Sequence, residues 1–275
     1  MANKSFSVLM SLYINEKASY FEECMESITH QTVLPTEIVI VEDGPVQTDV
    51  REVLERYKKT YPGWIRSVLL PENKGLGEAL AIGVGACRCS LIARMDTDDI
   101  AREDRFEKQL REFEKDAELD ICGSIIYEFE QDIDHIVAKR TVPLNDEEIR
   151  EYQKRRDAYN HVSVMFKKES VLKAGNYQPC PLMEDTLLWV HMIQSGAKGK
   201  NINEPLVYVR IGHEMYERRG GWSYFKDYRS GRRKVKQTGY ISNSDYYLTL
   251  SAQFVVAMVP ERLRGWIFKN VLHKK

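Results

Sequence analysis

Four continuous apolar runs of strand length alternate with segments of helical periodicity over the first hundred residues. The runs are "FSVLMSLYI", "TEIVIVEDG", "IRSVLLPEN" and "SLIARMD". The segments between them, such as "ASYFEECMESITHQ", repeat apolar residues every three or four positions, which predicts helices. Strands that are apolar on both faces and alternate with helices are typical of a parallel sheet covered on both sides. The sequence therefore predicts an α/β fold with a Rossmann-like, mostly parallel central sheet.

A different pattern follows residue 115. "DICGSIIYEFE" and "HIVAKRTVP" predict neighbouring strands of a small antiparallel element, and "HVSVMFKK" and "NINEPLVYVRIG" predict two more strands. "NDEEIREYQKRRDAY" and "EDTLLWVHMIQSG" predict helices, and "SDYYLTLSAQFVVAMVP" predicts an apolar helix capped by Ser244 or Asp245. Since no repeat or low-complexity linker divides the chain, we expect a catalytic domain over residues 1–214 and a C-terminal helical extension over 215–275.

Composition places the chain among ordinary soluble globular proteins, with 43% hydrophobic and 29% charged residues and a net charge of −1. Residues 205–275 hold 14 Lys and Arg against 5 Asp and Glu, which indicates an anionic ligand or surface near this end. Five scattered cysteines predict reduced thiols in the cytoplasm. The N-terminal "MANKSFSVLMSLYINE" predicts a first strand rather than a signal peptide, and no run approaches the roughly 20 apolar residues of a membrane-spanning helix.

Polar clusters follow all four of the first strands. They contain Tyr13, Asn15, Glu16, Glu42, Asp43, Asn73, Lys74, Asp96, Asp98 and Asp99. Ligands of parallel α/β sheets bind at the carboxyl ends of the strands. The four clusters therefore predict one rim of one binding site.

The densest cluster, in "LIARMDTDDI", has three carboxylates within four positions. Carboxylates this close raise one another's pKa unless a positive charge compensates. Mg²⁺ and Mn²⁺ take carboxylate oxygens and share the rest of their coordination shell with phosphates, so a divalent cation is one explanation. The other is that Asp98 or Asp99 caps the helix predicted for "REDRFEKQLREFE". This stretch alone leaves both open.

The same stretch resembles the D-x-D segment of glycosyltransferase family 2, whose members use nucleotide sugars and have the GT-A fold. The resemblance extends in order over roughly residues 5–212, through "FSVLMSLYINE", "TEIVIVEDGP", "PENKGLGEALAIG" and "NHVSVMFKKESVLKAGNY" followed by "MEDTLLWVHMIQSG". Two positions depart from the family pattern. Glu42 stands where the family commonly has the first Asp of Asp-Asp-Gly, and Pro45 replaces the usual Ser.

The resemblance implies a donor site for a nucleotide-diphosphate sugar, and UDP is favoured because it is the nucleotide that the family commonly uses. Tyr13 and Asp43 would contact the nucleobase, with Lys74 and Glu16 nearby. Tyr13 as a strand-end aromatic and Lys74 as a solvated turn residue are the structural alternatives.

At the metal, the resemblance implies that Asp98 ligates the Mn²⁺ or Mg²⁺ that bridges the diphosphate. Asp96 would face the ribose or the ion. His213, in "RIGHEM", would be a further metal ligand or a surface histidine.

On the acceptor side, the resemblance implies that Asp185 is the general base and that Glu184 binds the acceptor or the donor sugar. Both open a predicted helix, where backbone dipoles stabilise anions, so helix capping is the alternative. A single base without a protein nucleophile predicts inversion of the anomeric configuration. His161 is expected to line the acceptor pocket or to be a structural histidine.

The final segment, "ERLRGWIFKNVLHKK", places apolar residues on one helical face beside basic residues. These are Leu263, Trp266, Ile267 and Val271, flanked by Arg262, Arg264, Lys269, Lys274 and Lys275. The pattern fits an amphipathic helix on an anionic membrane. The family resemblance implies a lipid-diphosphate-linked acceptor at the cytoplasmic face of a bacterial membrane, with Arg218 and Arg219 near its phosphates. Packing on the catalytic domain, or on a second subunit in a homodimer, is the alternative.

Three other functions fit the sequence less well. Nucleic-acid binding would use the basic, aromatic tail, but no binding motif is present and the acidic rim stays unexplained. A metal-dependent nucleotidyltransferase acting on a sugar phosphate would release pyrophosphate from a nucleoside triphosphate, yet no Gly-rich phosphate loop stands near the N-terminus. The missing Gly-rich loop also argues against a NAD-dependent enzyme of the Rossmann type. The prediction is an inverting transferase that builds a bacterial surface polysaccharide such as a capsule or O-antigen.

Overall fold

The computed structural model describes residues 5–212 and 220–259, and within them nine strands form a single sheet. The order is β3-β2-β1-β4-β8-β6-β9-β5, and β7 pairs with β6. The strands are β1 (Phe6–Leu12), β2 (Glu37–Glu42), β3 (Ile65–Leu69), β4 (Leu91–Arg94), β5 (Ile100–Ala101), β6 (Leu119–Phe129), β7 (Ile136–Arg140), β8 (Met165–Lys167) and β9 (Lys198–Arg210).

Helices cover both faces of this sheet. They are α1 (Ala18–Thr29), α2 (Thr48–Thr60), α3 (Leu76–Ala86), α4 (Arg105–Lys115), α5 (Asp146–Tyr152), α6 (Lys168–Lys173), α7 (Glu184–Gln194), α8 (Gly221–Gln237) and α9 (Asn243–Met258). Alternate side chains of β1 enter different cores: Val8 packs with the α1, α2 and α4 side, and Leu9 with the α3 and α7 side. The predicted α/β fold with a helical C-terminal region is confirmed.

Strand direction brings the predicted rim together. β1 pairs in parallel with β2 and β4, and β2 pairs in parallel with β3, so all four carboxyl ends lie at one edge. β8 is antiparallel to both β4 and β6. β6 and β7 form the predicted antiparallel pair, while β6 and β9 are parallel.

Two local predictions were wrong. The helix predicted through residue 159 ends at Tyr152, because the Gln153 side chain turns the chain by accepting the Ala158 N–H at 2.8 Å. The cap of α9 is Ser242, whose Oγ accepts the Asp245 N–H at 3.0 Å while the Asp245 carboxylate accepts the Ser242 N–H, a reciprocal capping box.

Helix α8 packs on α7 through a small apolar cluster, and α9 packs on α8. The cluster contains Cys180, Met183, Leu187, Val190, Val235 and Ile241. No helix in residues 5–212 or 220–259 combines the length and apolarity needed to cross a bilayer. The predicted boundary near residue 214 and the amphipathic segment after residue 260 lie outside the described residues.

Candidate active site

The Asp43 carboxylate joins the turns that follow β2 and β3. Its Oδ1 accepts the Lys74 backbone N–H at 2.7 Å, and its Oδ2 accepts the Gly75 N–H and the Asn73 side-chain amide, each at 3.0 Å. Gly44 permits this contact: its φ is +85°, and a Cβ there would lie 2.7 Å from the Asn73 nitrogen. Asp43 is thus buried in the wall of the rim, with three of its roughly four acceptor positions used.

The other predicted donor-site residues sit at different depths along this edge. Tyr13 is 38% exposed, and the Lys74 ammonium lies 3.1 Å from Glu78 Oε1 at the surface. Glu16 is buried, where its carboxylate accepts the Thr97 hydroxyl and the Lys17 N–H. Burial raises the pKa of Glu16. This residue therefore lies beneath the aspartate-rich turn rather than on its surface.

The three aspartates after β4 have separate roles. Asp96 faces the Arg94 guanidinium, with Nη1 2.7 Å from Oδ2 and Nη2 2.5 Å from Oδ1. Asp99 is buried and accepts the Arg210 backbone N–H at 2.8 Å. Within the described ranges, no other residue donates a hydrogen bond to the Asp98 carboxylate. Asp98 is the aspartate whose oxygens stay open to a ligand.

Negative charge is undercompensated around Asp98. Burial, followed by the charges of Asp96 and Glu16, raises the pKa of Asp98 to about 7. Burial and the Asp98 charge likewise raise the pKa of Asp99 well above its usual value. Arg94 opposes both shifts, but its guanidinium is already paired with Asp96. An additional cation beside Asp98 would relieve this repulsion.

The arrangement fits an ion shared with a phosphate ligand better than an ion enclosed by protein. Among the described residues, no three His, Cys, Asp or Glu side chains converge on a metal position. Mg²⁺ commonly takes one or two carboxylates and completes its shell with water and substrate phosphates. Asp98 and Asp96 fit that donor set. His213, the third predicted ligand, lies outside the described residues.

Glu184 and Asp185 form the first turn of α7, as predicted. A Cβ on Gly77 would lie 3.1 Å from the Glu184 Cβ, so the missing side chain lets the N-terminal end of α3 approach α7 closely. Burial, followed by the charges of Asp157 and Glu184, raises the pKa of Asp185 to about 8. A carboxylate with a raised pKa in a cleft is a candidate proton acceptor.

Four further residues lie around Asp185. Asp157 Oδ1 accepts the Thr186 hydroxyl at 2.5 Å, and His161 Nδ1 lies 3.8 Å from Asp185 Oδ2. His161 Nε2 is 2.8 Å from the Tyr177 hydroxyl. Burial lowers the pKa of His161 well below its usual value, so the ring is neutral. His161 therefore lies beside Asp185, the predicted base.

Arg94 lies between the carboxylates after β4 and those at the start of α7 in its electrostatic effect, and no motif predicted this role. Its positive charge opposes the raised pKa values of Asp98, Glu184 and Asp185 alike. The available signal was a lone cation inside the apolar strand "LIARMD". Asp157 had no such signal, because it follows a run of other charged residues.

Comparison with known proteins matches this sequence to a family. The sequence profile described as "Glycosyl transferase family 2" matches residues 7–173. The amylovoran biosynthesis glycosyltransferase AmsE of Erwinia amylovora is 38% identical over 96% of this chain and 98% of its own length. The Escherichia coli UDP-Gal:alpha-D-GlcNAc-diphosphoundecaprenol beta-1,3-galactosyltransferase is 33% identical over 98% of this chain and 97% of its own length.

Solved structures share the fold. S. aureus TarS 1-349 in complex with UDP-GlcNAc is 14% identical, has a TM-score of 0.62, and is matched over 96% of this chain and 70% of its own. The mannosyltransferase PcManGT from Pyrobaculum calidifontis, in complex with GDP-Man and Mn²⁺, is 14% identical with a TM-score of 0.63, over 94% of this chain and 71% of its own.

Proposed function

This chain belongs to glycosyltransferase family 2, and we propose that it moves a sugar from a UDP-sugar to a hydroxyl of a lipid-diphosphate-linked saccharide, with inversion. The observation that carries this proposal is that the Arg94 charge acts on two pairs of carboxylates. These are Asp96 and Asp98 after β4, and Glu184 and Asp185 at the start of α7. The first pair suits the donor diphosphate, and the second suits the attacking hydroxyl.

Asp98 and Asp96 would hold Mn²⁺ or Mg²⁺ at the donor side. Such an ion, when bound, acts as a Lewis acid that stabilises negative charge on the departing phosphate. Asp43 stiffens the wall against which the nucleobase would rest, and Tyr13 offers an aromatic face for stacking on that base. Lys74 stands at the same edge, where its charge would favour an anionic donor.

Asp185 would take the proton from the acceptor hydroxyl. Its raised pKa of about 8 makes it a stronger base than an exposed aspartate, although at pH 7 only about a tenth of the molecules carry it deprotonated. The Thr186 backbone N–H, which donates to Asp185 Oδ1 at 2.7 Å, and the neutral His161 ring limit the directions in which this carboxylate can turn. Glu184, in the same helical turn, would bind a sugar hydroxyl.

The relatives support the choice of donor and acceptor. The E. coli relative is named for a UDP-Gal donor and a diphosphoundecaprenol-linked acceptor, and the Erwinia relative for amylovoran biosynthesis. Both match this chain over nearly its full length, which supports a role in bacterial surface-polysaccharide assembly. The transferred sugar is left to experiment.

The test is a panel of nucleotide sugars with Mn²⁺ and a polyprenyl-diphosphate-linked saccharide. We expect transfer from one UDP-sugar, with an inverted product by NMR. Asp185→Asn should abolish transfer while UDP still raises the melting temperature. Retained transfer by that variant would remove Asp185 as base, and pyrophosphate release from a nucleoside triphosphate would contradict the reaction class.

The C-terminal helices support a peripheral position on the cytoplasmic membrane face. Several apolar side chains of α9, and one of α8, are exposed: Trp222, Tyr247, Leu248, Phe254, Val255 and Met258. Lys226 and Arg229 of α8 are exposed as well. This combination suits an anionic bilayer, and the basic residues after 260, which lie outside the described residues, would add to it.

Flotation with anionic and neutral liposomes tests this contact. Leu248→Ser with Val255→Ser, or deletion of residues 260–275, should weaken binding to anionic vesicles. The matched control replaces two exposed leucines elsewhere, Leu34→Ser with Leu172→Ser. Unchanged flotation would contradict the membrane proposal, and a concentration-dependent dimer lost in the first double variant would assign the face to a second subunit.

A further inference from the structure

The loop that presents Glu184 and Asp185 has an unfavourable backbone conformation. Leu182 has φ +59°, in the left-handed region that residues with a Cβ rarely adopt. Its side chain is half exposed, so it gains little burial in return. A conformation of this kind persists only when its surroundings hold it, and it is found most often at functional sites. The contacts on either side of Leu182 therefore indicate what fixes the loop.

Those contacts come from one turn of α8. Lys234 Nζ donates to the Pro179 carbonyl at 2.5 Å, and the Cys180 thiol donates to the Gly231 carbonyl at 3.7 Å. A Cβ on Gly231 would lie 2.4 Å from the Pro181 carbonyl oxygen and 3.2 Å from Met183 Cγ. The loop thus rests directly on the helix backbone at a point where any side chain would displace it.

The same turn of α8 holds the chain on the other side of the base. Arg232 is buried and donates to the Lys154 carbonyl and to Thr249 Oγ1, the latter at 3.0 Å. Lys154 begins the segment that leads to Asp157, which in turn bonds Thr186 beside Asp185. Two segments near Asp185, the loop before α7 and the chain around Lys154, are therefore attached to α8. The attachment is made by Gly231, Arg232 and Lys234, which lie within one turn of that helix.

We propose that α8, through Gly231, Arg232 and Lys234, is the positioning element for Glu184 and Asp185, so that the C-terminal helices are part of the acceptor half of the active site. The inference rests on the proposed function in one respect, the assignment of Asp185 as base. It adds that residues remote from the donor site set the rate of transfer. The donor half, built on β1–β4 and their turns, has no contact with this turn of α8 among the interactions described above.

Two variants test this positioning. Gly231→Ala drives a methyl group into the Pro181 carbonyl, and Lys234→Ala removes one exposed donor while leaving the core intact. Matched controls are Gly85→Ala, a helical glycine with nothing within 4 Å of its Cβ position, and Lys59→Ala, an exposed helical lysine. We expect kcat to fall about tenfold in Gly231→Ala, with the donor KM within about twofold of the wild type. Lys234→Ala should show a smaller fall of the same kind.

Hydrogen exchange gives a readout that does not depend on transfer. The amides of residues 180–187 should exchange faster in Gly231→Ala and Lys234→Ala than in their controls, while those of residues 38–43 stay unchanged. Equal exchange and equal kcat in variants and controls would overturn the inference while leaving the proposed function intact. Loss of UDP binding in Gly231→Ala would also overturn it, since the donor half would then depend on α8. Failure of the proposed function is seen separately, as wild-type protein that transfers no sugar.

Discussion

Arg94 and Asp96 form a two-point ion pair at the centre of the site, with nitrogen–oxygen distances of 2.7 and 2.5 Å. The two partners differ in their surroundings. Arg94 is 2% exposed, whereas the Asp96 side chain is 38% exposed. Asp96 therefore compensates a buried cation and still presents one side to a ligand. Removing either partner has unequal consequences, because only the arginine is left without water.

Asp96→Asn should destabilise the protein more than the loss of a surface ion pair would. The buried Arg94 charge would lose its partner, and we expect a loss of about 2–4 kcal/mol in the free energy of unfolding, measured in urea. Glu22→Gln is the matched control, since Glu22 and its partner Arg56 are both about half exposed, and such pairs contribute at most about 1 kcal/mol. Equal losses in the two variants would show that Arg94 is hydrated or paired otherwise.

The rate of transfer should rise with pH through the pKa of Asp185. A base must be deprotonated to act, so with a pKa of about 8, kcat should increase about tenfold per pH unit below pH 7.5 and level off above pH 8.5. Asp157→Asn removes the second largest cause of the raised pKa, so its rise should shift to lower pH. The asparagine oxygen can still accept from Thr186. A pH profile that is the same in wild type and Asp157→Asn would contradict this assignment.

Binding of an ion at Asp98 should compete with protons. Because the folded-state pKa of Asp98 is raised to about 7, its protonation stabilises the ion-free protein at low pH, and this contribution is lost as the pH rises through 7. Asp98→Asn should therefore raise the melting temperature of the ion-free protein at pH 8 by about 2–4 °C. It should also abolish the further rise that Mn²⁺ and UDP produce in the wild type, and chelation should reverse that rise.

Asp134→Asn, an exposed carboxylate in the loop between β6 and β7, serves as the control for that experiment. It should keep the Mn²⁺-dependent stabilisation. A full thermal response to Mn²⁺ and UDP in Asp98→Asn would place the ion elsewhere.

Gly44→Ala should damage the donor wall through a specific collision. Its Cβ would lie 2.7 Å from the Asn73 nitrogen, which displaces the turn that bonds Asp43. Gly63→Ala is a close control, because Gly63 has a similar φ of +77° but nothing within 4 Å of its Cβ position. Both variants carry the backbone strain, about 1–2 kcal/mol, and only Gly44→Ala should raise the donor KM as well. A similar donor KM in the two variants would contradict the role of this turn.

The strands and the rim could be predicted because their signals are local. The continuous apolar runs of β1 to β4, and the apolar spacing in "ASYFEECMESITHQ" that predicts α1, depend on residues close together in the sequence. Phe21, Cys24, Met25 and Ile28 are indeed the buried residues of that helix. Parallel pairing then follows from the alternation of strands and helices, and it places the polar strand ends together.

Which of Asp96, Asp98 and Asp99 is bonded within the protein, and which is open to a ligand, could not be predicted, because it depends on residues far away in the chain. The Asp99 carboxylate accepts a hydrogen bond from the backbone N–H of Arg210, 111 positions later in the chain. This contact exists only once β9 has joined the sheet. Asp98 stays open because, in the part of the chain that the structure describes, no comparable donor reaches its carboxylate. The same holds for the buried face of α8: two of its four buried residues are Gly231 and Arg232, and their neighbours are the Pro181 and Lys154 carbonyl groups, far away in the sequence.

The close packing of Gly231 against the Pro181 carbonyl also limits which segments can be exchanged between related proteins. A chimera that exchanged the part after residue 214 between two relatives would bring a foreign helix against a loop shaped for its original partner. Segments 178–183 and 221–258 should therefore be exchanged together when acceptor preference is engineered, and cuts between them avoided. Substitutions that enlarge residue 231 should be tolerated only alongside changes at Pro181 or Met183.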